Sequence, residues 1–112
     1  MAMARKMNDQ PLQPVTIVYW RDIPAQVIVG KGRRGAKVQL PERFEQAIDR
    51  AAMKAGARDT DSYLAEWRKA HDRDVAGEPS QVAAAEAARL DAAYPDDRLR
   101  SLIANDGRDA AT

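Results

Sequence analysis

The chain has 112 residues, a net charge of +1 and no cysteine, which excludes a disulfide framework and a thiolate metal site and fits a reducing cytosol. Much of its 45% apolar content is alanine, and one Phe, two Trp and three Tyr are left to supply large buried area, so one domain with a small core is expected. The charge is uneven: residues 1–56 carry ten Lys/Arg against five Asp/Glu, and residues 57–112 carry eight against twelve, so one end attracts anions and the other repels them.

The start, "MAMARKMNDQPLQP", has basic residues without the apolar stretch of a secretory signal, and residues 1–14 are expected to be a disordered leader. No run reaches the 18 apolar residues of a helical membrane span, and a cytoplasmic location is expected. "VTIVYW", residues 15–20, is rich in β-branched and aromatic residues on both alternating faces and predicts a strand at least partly covered on both. "RDIP" favours a turn through Asp22 and Pro24, "AQVIVG" a second strand, and "AKVQLP" a third, with Val38 and Leu40 on one face and Lys37 and Gln39 on the other. Short connections make these an antiparallel meander.

Pro41 then opens a helix in which Phe44, Ile48, Ala51, Ala52 and Ala55 form one stripe, with Glu42 and Glu45 at its start, Lys54 at its end and Gly56 as the left-handed cap. Asp59, Thr60 or Asp61 can cap a second helix, "SYLAEWRKAHDR", whose inward stripe would be Leu64, Trp67 and His71. After "AGEP", residues 80–94 predict an alanine-rich helix with Ala83, Ala87, Leu90 and Tyr94 on one face, and residues 97–104 a short last helix offering Leu99, Leu102 and Ile103. The fold expected is α+β: a three-stranded antiparallel β-meander packed against two α-helices, plus a C-terminal alanine-rich helix. Its divisions are a domain over 15–76, a helical extension over 77–104 and a flexible tail over 105–112.

"GKGRRGAK", residues 30–37, sets four cations among three glycines. A phosphate loop needs a helix after its glycines and a Ser/Thr after its lysine; here a strand follows, so a hairpin tip fits better than a nucleotide cradle. Lys31, Arg33, Arg34 and Lys37 could track nucleic-acid phosphates, or could keep a strand edge soluble. The segment from Lys37 to Ala70 also resembles the ribbon-helix-helix DNA-binding fold, in which strand side chains, here Lys37 and Gln39, enter the major groove. Asp59 and Asp61 depart from that pattern by standing where the second helix would hold phosphate.

The chemistry of a catalyst is sparse. His71 is the only histidine, the serines lie in no nucleophile elbow, and no calcium-loop pattern occurs, so neither a catalytic residue, a metal nor a cofactor is assigned. "YWRDIPAQV" stands out instead. Tyr19, Trp20, Arg21 and Asp22 bring residue types typical of interface anchors to one strand end, with Trp20 in the core and Asp22 capping the turn as the alternative.

That stretch, the helix from Arg43-Phe44 to Ala51-Ala52, and Tyr63-Leu64-Trp67 resemble the small bacterial domain family called "virulence factor", and also the C-terminal module of conserved virulence factor C. The resemblance covers residues 15–70. It implies an accessory role: stand-alone members keep company with one-carbon and corrinoid-dependent methyl-transfer proteins. A non-enzymatic protein-interaction domain, binding a protein partner through Tyr19 to Asp22, is therefore the expected function, and a DNA-binding regulator using Lys31, Arg33, Arg34, Lys37 and Gln39 is the alternative.

Overall fold

The computed structural model describes residues 12–57 and 59–109. Among them, four strands, β1 (Leu12–Trp20), β2 (Ile23–Val29), β3 (Ala36–Gln39) and β4 (Trp67–Ala76), form one antiparallel sheet in the order β3-β2-β1-β4. Four helices accompany it: α1 (Glu42–Ala55), α2 (Thr60–Ala65), α3 (Pro79–Ala93) and α4 (Asp96–Ala104). The α+β class and the three-stranded meander stand as expected, but the sheet has a fourth strand where the sequence predicted most of a second helix.

That correction has a physical cause in β1. β1, rich in β-formers, would leave one row of backbone hydrogen-bonding groups unpaired after β2, and it pairs with β2 on one side (Ile17 opposite Val27) and β4 on the other (Ile17 opposite Ala70). The helix-favouring residues of "WRKAHDRDVA" are overridden by this long-range pairing, and α2 stops after six residues. Its start is as expected, with Asp59 accepting a hydrogen bond from the Ser62 amide at 2.9 Å. The expected inward stripe does not form: Leu64 is 56% exposed, His71 is exposed, and Trp67 alone packs against the core.

One face of the sheet presents Val15, Ile17, Val27 and Val29 to the core, where they meet Phe44, Ala47, Ile48, Ala51 and Ala52 of α1. Gly56, in the left-handed region, ends α1 as expected. Residues 77–104, set apart in the sequence as an extension, contribute Ala83, Leu90, Leu99 and Leu102 to the same core. The alanines of α3 let it approach β2 and β3 closely, and α4 packs on α1. Two ionic clamps fix this layer. Arg43 of α1 donates to the carbonyls of Tyr94 (2.7 Å) and Asp91 (2.8 Å) and pairs with the carboxylates of Asp91 and Asp96. Glu86 of α3, 3% exposed, receives Arg73 of β4 at 2.9 Å and Arg89 of its own helix.

Of the expected leader, residues 1–11 lie outside the described residues and 12–14 begin β1. Residues 105–109 of the expected tail fold back on the β1–β2 turn, with the Gly107 carbonyl accepting from the Asp22 amide at 2.9 Å. No described helix is long and apolar enough to cross a membrane.

Candidate functional site

The "YWRD" stretch is a folding knot. Trp20 closes β1, is wholly buried, and donates its indole N–H to the Tyr63 carbonyl of α2 at 2.9 Å while its ring stacks on that of Tyr63. Arg21 makes the tight turn with a positive φ of 52°, a conformation that costs a non-glycine residue about 1–2 kcal/mol. Its side chain offsets that cost by donating to Glu66 at 2.7 Å and to the Asp106 carbonyl at 2.8 Å. Asp22 accepts from Arg68 at 3.2 Å and from the Asp109 amide at 2.6 Å. Tyr19 is half-buried under the guanidinium of Arg68, 4.4 Å from its ring centre, and burial pushes its phenol up. The structure thus takes the alternative for Trp20, the core, and Asp22 holds the turn. Four side chains read as a partner anchor make their contacts within the fold.

The basic set lies differently. Arg33 and Arg34 are exposed on a single 3₁₀ turn, Gly32–Arg34, between β2 and β3, and Lys31 is exposed just before it, so the glycine-rich segment is a hairpin connection as its flanking strands required. Lys37 and Gln39 point out of β3 on the face opposite the core. None of the four cations has an ion-pair partner among the described residues.

Register shows what they belong to. Lys37 lies opposite Ile28, Ile28 opposite Thr16, and Thr16 opposite His71; the next row runs Gln39, Gln26, Val18, Lys69. Each row crosses all four strands, about 15 Å at the usual strand spacing. Val18 and Ile28 belong neither to the core nor to the apolar residues packed against it, so this is an open sheet face: two aliphatic side chains at the centre, Lys37, Lys69 and His71 toward the edges, and no carboxylate in either row. On the edge strand Asp74, opposite Pro14, pairs with the His71 ring at 2.9 Å.

Sequence reasoning found Lys37 and Gln39 but missed Lys69 and His71 as members of this face. Read as a helix, they fall on different sides; only strand periodicity places both beside Thr16 and Val18. The ribbon-helix-helix layout is not formed, because β3 already pairs with β2 and the second helix gives way to β4. Among the described residues, no group of His, Asp and Glu is arranged to hold a metal ion.

A family model described as "Virulence factor" matches residues 18–103, a span from the end of β1 through nearly all of α4. No curated protein and no solved structure matches the chain.

Proposed function

The chain belongs to the virulence factor family, and we propose that it is a non-enzymatic accessory module that docks an acidic protein surface on the open face of its sheet. The observation that supports this reading is the double row Lys37–Ile28–Thr16–His71 and Gln39–Gln26–Val18–Lys69. A flat apolar centre flanked by Lys37 and Lys69, neither of which has an ion-pair partner among the described residues, suits a protein partner whose rim is acidic: the centre supplies contact area, and the rim supplies steering and register. The free cations of the adjoining hairpin, Lys31, Arg33 and Arg34, widen the positive field. The accessory role in corrinoid-dependent methyl transfer that the family resemblance implies names the proteins of such a system as the first partners to try.

Nucleic acid is the rival occupant. Single strands bind sheet faces by stacking bases on aromatic side chains, and these two rows contain no Phe, Tyr or Trp and only the imidazole of His71 at the edge. The test is co-purification from the native cell with Lys37→Glu/Lys69→Glu as the variant. Retention of a defined acidic protein by the native chain, and its loss in a variant of unchanged melting temperature, is the expected result. Equal retention by both, or binding to duplex DNA that weakens steeply with salt, overturns the proposal.

A further inference from the structure

Beyond the basic face, the molecule holds a hollow of opposite character. It has a volume of about 530 Å³ and lies between the outer side of α1 and the start of β4. Leu40 and Ile48, both buried, form an apolar floor with Ala25. The rings of Tyr63 and Trp67 form one wall, 5.9 Å between centres and at 82° to each other. The opposite rim carries Glu42, Glu45 and Asp49, which the helical period brings to one side of α1.

A row of carboxylates on a helix is ordinary by itself. Its setting here is not, for two reasons. First, the lining contains no cation, and among the described residues none of the three acids has an ion-pair partner; Glu42 meets only the Gln46 amide, at 3.5 Å. Second, the negative field reaches the aromatic wall: burial first, then the charges of Asp49 and Glu45, push the Tyr63 phenol up. A concave site of this volume with an apolar floor and polar groups converging at its rim, here the three carboxylates and Gln39, is a usual form of ligand pocket.

We infer that this hollow binds an organic ammonium group, its alkyl part on Leu40 and Ile48, its charge facing Glu45 and Asp49 and the rings of Tyr63 and Trp67. Aromatic faces and carboxylates attract the same charge, and an alkylammonium alone satisfies them together with the apolar floor. A hydrated metal ion would leave the floor uncovered, and a neutral ligand would leave the charges unanswered. The ammonium can be a free small molecule or the side chain of a lysine on a bound peptide.

Titration followed by NMR tests this with the intact chain. Trp20 is wholly buried, so the Trp67 indole signal reports on the hollow. Choline and butylammonium serve as free ligands, their neutral counterparts 3,3-dimethylbutanol and butanol as controls, and an end-capped Gly-Lys-Gly peptide as the third arm. The expected result is a saturable shift with at least one cation, little with the alcohols, and about a tenfold weaker response in Glu45→Gln/Asp49→Asn. Both substituted residues are exposed, and an unchanged melting temperature shows that the variant folds. Saturation by choline or butylammonium but not the peptide identifies a small-molecule site, and the reverse a lysine site. No saturable shift with any cation at tens of millimolar, or equal shifts with cations and alcohols, overturns the inference.

Discussion

Gly107 lies against the face of Trp20 so closely that a β-carbon at that position would stand 2.9 Å from the indole Cζ3. The glycine also has a φ of +87°, a region that side-chain-bearing residues rarely adopt. Both constraints act on the same substitution. Gly107→Ala should lower unfolding free energy by about 1–3 kcal/mol in urea titration, through overpacking and the left-handed backbone. A variant as stable as the parent would mean that residues 105–109 do not hold the β1–β2 turn.

Trp20 itself should behave as a core residue. Removing a wholly buried indole costs about 3–5 kcal/mol, a large part of the stability of a domain this small. Trp20→Ala is therefore expected to melt far below the parent, and to lose any partner because it loses the fold. If its melting temperature is unchanged while binding fails, the residue is an interface anchor after all.

The sequence disclosed α1, α3 and the hairpins because each declares itself locally, through the apolar stripe from Phe44 to Ala52, the alanine run, and the turn residues at Asp22 and Gly30. β4 declares nothing locally. It is an edge strand with charges on both faces, the usual protection against aggregation, and its Arg, Lys and Ala favour helix. Its partner lies about 50 residues earlier in β1, whose second edge is free for pairing once β2 takes the first, and only that long-range pairing makes residues 67–76 a strand. The open face was hidden with it: Lys37 and Gln39 were readable from β3, but Lys69 and His71 join them only through cross-strand register.

Leu64 and Leu90 separate these two architectures. In a helical hairpin with Leu64, Trp67 and His71 turned inward, both leucines would be core. Here Leu64 is 56% exposed and Leu90 is 3% exposed. Leu90→Ala should cost about 2–5 kcal/mol, and Leu64→Ser should fall within about 0.5 kcal/mol of the parent. Comparable losses at the two positions would contradict the strand assignment of residues 67–76.

Glu86 gives the fold its acid sensitivity. Hydrogen bonds from Arg89 and Arg73 outweigh burial and hold its carboxyl down at about 2. A carboxyl whose folded value lies below its unfolded one stabilises the protein fully above about pH 5, and that contribution drains away as pH falls toward the folded value. The upper bound is about 3 kcal/mol, reduced in practice because Arg73 and Arg89 are 47% and 50% exposed and share their charge with water. Urea midpoints measured from pH 6 to pH 2.5 should therefore fall more steeply for the parent than for Glu86→Gln, which keeps the shape of the side chain but cannot titrate. The difference belongs to the clamp between α3 and β4, where Glu86 receives both Arg73 of the sheet and Arg89 of its own helix and Asp72 of β4 flanks the same pair. Parallel slopes in the two proteins would mean that another carboxylate carries the acid transition.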